Sequence, residues 1–278
     1  QRRVAGGEWM PVSDDYIIEP QAGLDVISSI DMHLQDVASS ALREQLQEHD
    51  AAWGTVILME VNTGMIRAMA NLTRSSKEAL EGEPSEYFES FNHAIGTAVE
   101  PGSTFKLASL MTAMSEGGVK ASDEIDTGNG ITYFYGKRMS DSNADQGGSG
   151  ILNTREIFEL SSNVGTALTI KKAFGENPQE FLDGLQSLGV DAPTGVRLAG
   201  ESTPQVYQNA GDGRWSGLSL TQMSIGYEVT QTPLQILTLY NAVANNGTSL
   251  RPQLVERLEN NGQVVKTFQP EVLKQSIC

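Results

Sequence analysis

The sequence predicts an α/β protein of the α+β type, with strands near its start and end and helices through the middle. Three observations carry this. Two β-rich runs in "WGTVILMEVNTGMIRAMAN" (53–71) flank Asn62-Thr63-Gly64, where the glycine supplies the positive φ of a short hairpin. Helix-start signals recur through the middle: Asn153 with Glu156, Asn177 with Pro178 and Glu180, Thr232 with Pro233 and Gln235. Near the end, "QLVERLENNGQVVKTF" reads as a second hairpin around Asn260-Asn261-Gly262.

Taken in order, residues 1–28 show no helical period and carry Gly, Pro and acidic breaks, so an extended lead-in is expected. Asp31 caps a helix to about His49, in which Leu34, Val37, Ala38, Ala41, Leu42 and Leu46 form one stripe expected to be buried. The 53–71 runs are apolar on both faces, as in central strands of a covered sheet. Leu72 to Ser90 is polar and acidic and reads as a loop. A helix over 103–116 stops at Gly117-Gly118. Turn clusters "DTGNG" and "DQGGSG" surround the aromatic run "ITYFYG", and "LQILTLYNAVANNG" is an apolar helix closed by Gly247. No internal repeat is present.

Composition excludes several function classes. The 278 residues carry 35 acidic and 19 basic side chains, a formal net charge of −16, and no strong basic patch, so a nucleic-acid partner is not expected. His33, His49 and His93 stand in no metal-ligand spacing, and the single Cys278 forms neither an internal disulfide nor a zinc site; no metal or cofactor is expected. The longest apolar run, "TVILM", is far short of a membrane span. The glycine clusters lack the K-[ST] of a phosphate-binding loop and read as turns. His93 has no partnering carboxylate pattern and reads as a packing residue. Trp9, Trp53 and Trp215 are most simply core or rim.

The chemistry gathers in "EPGSTFKLASLMTAMSEGG" (100–118). Ser103 and Lys106 share one helix face, with Cβ atoms roughly 5–6 Å apart, so the amine can reach the hydroxyl. A serine hydroxyl is a poor nucleophile until a base takes its proton. A lysine amine serves as that base when burial lowers its pKa, and the apolar residues around it favour burial. The helix N-terminus offers N–H groups to a developing oxyanion. The plainer reading is a helix cap and a solvated lysine. "LSSNVG" (160–165) adds Ser161 and Asn163, a hydroxyl and an amide at a helix end, suited to relaying a proton and holding a substrate amide. S-x-x-K followed by S-x-N belongs to the signature set of penicillin-binding proteins and class A β-lactamases. Asp141 and the "YFYGKRMSDSN" loop lie between the two motifs as candidate cleft lining, with no one residue of them singled out.

With these motifs the chain resembles the D,D-transpeptidase domain of the class B penicillin-binding proteins, in their cell-division branch, in a form typical of the Bacteroidetes. "AGLDVISSIDMHLQDVASSAL", "ILMEVNTGMIRAMAN", "EPGSTFK", "SSNVG" and "MSIGYEVTQTPLQILTLYNAVANNG" carry the resemblance along nearly the whole chain. It implies Ser103 as acylated nucleophile, Lys106 as general base, Ser161 as proton shuttle and Asn163 as holder of the acyl-donor amide. It implies a mainly antiparallel five-stranded sheet covered by helices on both sides, with residues 1–28 ending an N-terminal pedestal and 29–278 forming the transpeptidase domain. The implied substrate is the D-alanyl-D-alanine end of a peptidoglycan stem peptide, with β-lactams as mimics. The implied location is the periplasmic face of the inner membrane, with an anchor outside these residues and membrane-bound division and glycosyltransferase partners.

The family's third motif, K-[ST]-G, is absent. "VVKTFQP" supplies Lys266-Thr267 and then Phe268, too early in order. The fold is therefore expected to lack its C-terminal part, and these residues alone are expected to bind β-lactams poorly. A serine β-lactamase or β-lactam sensor and a non-catalytic division scaffold are the competing functions; no glutamate motif for deacylation follows S-x-N.

Overall fold

The computed structural model describes the backbone of residues 2–3 and 9–10 and the whole of residues 23–75 and 86–277. Most of the expected lead-in and the middle of the expected 72–90 loop lie outside the described residues. The chain divides into two compact units, Gln1–Ser28 with Val255–Phe268, and Ser29–Leu254 with Gln269–Cys278.

In the first unit β1 (Arg2–Arg3) pairs antiparallel with β2 (Trp9–Met10), and β3 (Asp25–Ser28) follows. The second unit opens with α1 (Met32–Glu48), capped by the Asp31 carboxylate, which accepts from the N–H groups of His33 and Leu34. The cap is as expected; the buried stripe is not. Leu42 and Leu46 are buried, whereas Leu34 and Val37 are 36% and 55% exposed. The helix is turned so that Gln35, Ala38, Leu42 and Leu46 face the sheet. The Gln35 amide fixes this phase by exchanging two hydrogen bonds with the backbone of Met69 (Nε2 to O 3.1 Å, N to Oε1 2.8 Å).

That sheet is β4 (Trp53–Met59), β5 (Ile66–Arg74) and β6 (Tyr87–Phe88), all antiparallel, in the order β4-β5-β6. Gly64, at φ +70°, ends the β4–β5 turn as expected. Strand β5 runs through Leu72 to Arg74, into the stretch read as loop, because Leu72 and Thr73 still pair with Gly54 and Trp53 of β4, and Thr73 and Arg74 with Phe88 and Tyr87 of β6. Ile66, Ala68, Ala70 and Leu72 are buried at alternate positions of β5. Leu42 and Leu46 of α1 cover Ala70 and Leu72. Ala94 and Ile95 of α2 (His93–Gly96) cover Met59 and Ile66.

The helical half centres on α3 (Lys106–Ser115). Two small antiparallel pairs follow it. The strands are β7 (Glu124–Asp126), β8 (Ile131–Phe134), β9 (Lys137–Ser140) and β10 (Ile151–Asn153); β7 pairs with β10 and β8 with β9. Then come α4 (Thr154–Glu159), α5 (Asn163–Phe174), α6 (Pro178–Leu188), α7 (Ser219–Ser224) and α8 (Pro233–Ala244). The expected capping boxes of α4 and α8 are formed, Asn153 with Glu156 and Thr232 with Gln235. Asn177 precedes α6 without capping it, because its amide nitrogen donates to Glu180 Oε1 (2.8 Å) instead of its oxygen accepting from the backbone. Phe105 and Ala108 beside and within α3, Phe174 of α5, Phe181, Leu182 and Leu185 of α6, and Met223 of α7 interlock in the largest apolar cluster. Fully burying a side chain of this size contributes about 1.5–3 kcal/mol.

Strand β11 (Ser249–Leu250) leads to the second hairpin, β12 (Val255–Asn260) and β13 (Gln263–Thr267), whose turn holds Asn261 and Gly262 at φ +50° and +76°. β12 also pairs with β3, and β11 with β14 (Val272–Lys274). Among the described residues no helix is long and apolar enough to cross a membrane.

Candidate active site

The residues expected to do chemistry stand on two turns. The first is Gly102–Phe105, which is 3-10 helix; α-helix starts only at Lys106, later than expected. Ser103 and Thr104 are exposed, whereas Phe105 and Lys106 are 2% and 1% exposed. Burial of Phe105 among α5, α6 and α7 sets the phase of the turn, with Ser103 outside and Lys106 inside. Three hydrogen bonds hold it: Gly102 N–H to the Gly226 carbonyl (3.1 Å), the Tyr240 hydroxyl to the Thr104 carbonyl (3.0 Å), and Thr104 Oγ1 to the Pro101 carbonyl (2.8 Å). Gly226 lies at φ +84°, and a Cβ there would stand 2.1 Å from the Gly102 oxygen. Only glycine allows the two backbones to cross so closely.

The second turn links α4 to α5. Ser161 is exposed and left-handed, at φ +53°, a conformation that costs a non-glycine residue about 1–2 kcal/mol. Ser162 is the N-cap of α5, its Oγ accepting from Gly165 N–H (2.8 Å). Asn163 opens α5, so S-x-N joins two helices rather than ending one; its Nδ2 donates to the Ser140 carbonyl (3.0 Å).

Lys106 ties the two turns together. Its Nζ donates to the carbonyl of Ser161 (2.6 Å) and to Ser161 Oγ (3.1 Å). The spacing alone placed this amine against Ser103; both of its hydrogen bonds run across to Ser161. A buried amine is held where acceptors satisfy it, and the carbonyl and hydroxyl of Ser161 supply two. Burial lowers its pKa from 10.5 to about 8, with the Asp141 carboxylate acting in the opposite direction. Such an amine can take a proton from a hydroxyl at neutral pH.

Asp141, at the end of β9, is itself buried; Oδ2 accepts from Ser162 Oγ (2.8 Å) and Oδ1 from Val164 N–H (2.9 Å). Hydrogen bonds to a charged acceptor contribute about 1.5–3 kcal/mol each. The sequence offered Asp141 only as cleft lining, whereas it is buried, and gave no sign of Ser162 as a cap or of Gly226 and Tyr240 as supports of the nucleophile turn. No local pattern marks such residues, because their partners lie far along the chain.

His93 is a packing residue, as expected. Its ring stacks on Trp53 with centroids 4.3 Å apart, and its two nitrogens bond Thr73 Oγ1 (2.9 Å) and Thr97 Oγ1 (2.8 Å). Burial lowers its pKa, which favours the neutral ring. Trp215 packs partly buried against the large cluster. Lys266 and Thr267 lie on β13 in the first unit. Among the described residues no cluster of side chains suits a metal ion.

Comparison with known proteins bears on the family and the fold. The chain is 28% identical over 249 residues to the peptidoglycan D,D-transpeptidase FtsI of Escherichia coli K12, covering 89% of this chain and 40% of the relative. It is 27% identical over 237 residues to the penicillin-binding protein PbpB of Mycobacterium tuberculosis, covering 84% and 33%. The chain thus spans less than half the length of these two relatives. Among solved structures, apo penicillin-binding protein 3 of M. tuberculosis superimposes with a TM-score of 0.75 at 23% identity, over 94% of this chain and 57% of that one. Penicillin-binding protein 2B of Streptococcus pneumoniae gives 0.76 at 18% identity, over 92% and 44%. These likenesses place the fold in the α/β class of penicillin-binding protein transpeptidase domains. The family described as penicillin binding protein transpeptidase domain matches residues 54–277, and the chain belongs to that family.

Proposed function

We propose that this chain is the catalytic part of a peptidoglycan D,D-transpeptidase of the cell-division branch, joining stem peptides through an acyl-enzyme on Ser103. Neutral Lys106 takes the Ser103 proton as Oγ attacks the carbonyl of the penultimate D-alanine. The tetrahedral intermediate collapses, the D-Ala–D-Ala amide bond breaks, and the terminal D-alanine leaves with a proton passed through Ser161. Asn163 holds the donor amide. The amine of a second stem peptide then attacks the ester, giving the cross-link and returning the proton to Ser103. β-Lactams acylate the same oxygen and stay. The names of the relatives support the reaction, and the observation that carries the site is the buried Lys106 amine, bonded to Ser161 at 2.6 and 3.1 Å.

The same reading makes residues 1–28 the end of a pedestal and 29–278 the transpeptidase domain. It places the protein on the periplasmic face of the inner membrane, anchored outside these residues, beside division and glycosyltransferase partners. The test is labelling of the full-length protein as encoded with a fluorescent penicillin, followed by peptide mapping. A long-lived adduct on Ser103 that is lost in Ser103→Ala is expected. An adduct at another residue refutes the assignment, and rapid release of the hydrolysed drug makes the protein a β-lactamase.

A further inference from the structure

We infer that Asp141 is a positioning residue for the second half of this site: together with the Ser140 carbonyl it sets where Ser161 and Asn163 stand. The inference rests on the transpeptidase reading above. Three successive residues of the turn are held by the end of one hairpin. Ser162 Oγ donates to Asp141 Oδ2 (2.8 Å), Asn163 Nδ2 to the Ser140 carbonyl (3.0 Å), and Val164 N–H to Asp141 Oδ1 (2.9 Å). The hairpin end is itself fixed, since Asp141 N–H donates to the Gly130 carbonyl (2.9 Å) and the Asp141 carbonyl accepts from Ala144 N–H (3.3 Å).

Asp141 and Ser162 are 8% and 3% exposed, so neither side chain is presented to a substrate; both act through their neighbours. Ser162 Oγ also accepts from Gly165 N–H, which directs its own proton to Asp141. An asparagine at 141 keeps one acceptor and puts an N–H₂ donor where the other was. On the far side of the turn Ser161 receives both hydrogen bonds of Lys106. The neighbours Ser103, Phe105, Ser161 and Asn163 on the two turns carry no carboxylate or amine. The charge that acts on the Lys106 amine is that of Asp141, in the direction that opposes burial. One carboxylate therefore aims the second motif and keeps the base from losing its proton too easily.

The experiment measures the rate constant of acylation by a fluorescent penicillin against pH, with thermal unfolding alongside, on the full-length wild type, Asp141→Asn and Ser162→Ala. Asp141→Asn should lower the plateau rate by about 10²-fold, as small misplacements do. It should also move the acid limb of the profile to lower pH, because removing the negative charge lowers the pKa of the amine. Ser162→Ala keeps the charge and should lower the rate with the limb unmoved. An Asp141→Asn profile identical to wild type, or one whose limb stays in place while only the melting temperature falls, overturns the proposal. Should that variant fail to fold, Ser162→Ala decides alone: a lowered rate with an unmoved limb upholds it, and an unchanged rate overturns it. Labelling that persists in Ser103→Ala would instead bring down the transpeptidase reading, a separate outcome.

Discussion

The two turns that meet at Lys106 are built in different ways. The Ser103 turn is held by a main-chain crossing and by neutral hydroxyls: Gly102 crosses Gly226 with no room for a side chain, and the Tyr240 and Thr104 hydroxyls bond carbonyls beside it. The Ser161–Asn163 turn is held by a charged side chain on a hairpin and carries a left-handed serine. A backbone crossing fixes position at the cost of tolerating no other residue. A carboxylate clamp fixes position and sets charge together. The nucleophile needs only the first service. The turn that receives the base's hydrogen bonds uses both.

Substituting Gly226 tests the rigid half most severely. Gly226→Ala places a Cβ 2.1 Å from the Gly102 oxygen, so the Ser103 turn must move. A shift on the order of 1 Å at the nucleophile should cost about 10²-fold in acylation rate. The matched control is Gly189→Ala, at φ +80° with nothing within 4 Å of its Cβ. Both variants pay the left-handed strain of about 1–2 kcal/mol. Only Gly226→Ala should lose acylation beyond what its stability explains. Equal rates in the two variants would mean that the crossing does not position Ser103.

A smaller effect, in stability rather than rate, probes the charged half. The pKa of Lys106 is lower folded, about 8, than its usual 10.5, so between these values the unfolded chain binds a proton that the folded chain does not. Stability attributable to this group therefore rises with pH across that window and is at its lowest below it. Denaturant unfolding of the wild type and of Lys106→Met should show the difference shifting in favour of the wild type from pH 7 to pH 10. A difference that does not change with pH contradicts the burial of the amine.

Much of the fold was legible because it is written locally. The Asp31, Asn153–Glu156 and Thr232–Gln235 caps each involve partners within four residues, and Gly64 and Gly262 mark turns by backbone conformation alone. The S-x-x-K spacing put Lys106 one turn from Ser103, and its burial follows from the apolar helix around it. What failed to show were choices made by distant partners. Periodicity drew a stripe on α1, but the bonds between Gln35 and Met69 chose its phase and left Leu34 and Val37 outside. Strand β5 outran its apolar stretch because β4 on one side and β6 on the other both offered it pairing partners. The clamp on Ser162 comes from Asp141, 21 residues earlier with β10 and α4 between them, and a lone acid among turn residues carries no mark of that use.

The claim underlying both halves is that burial lowers the pKa of the Lys106 amine from 10.5 to about 8, so that near neutral pH its proton is easily lost and regained. The direct measurement is an NMR titration of the chain with ¹³C-labelled lysine side chains, with Lys106→Met assigning the signal. One lysine titrating near pH 8, absent from the variant, is the predicted result. A Lys106 resonance that titrates near 10.5 with the surface lysines would contradict it.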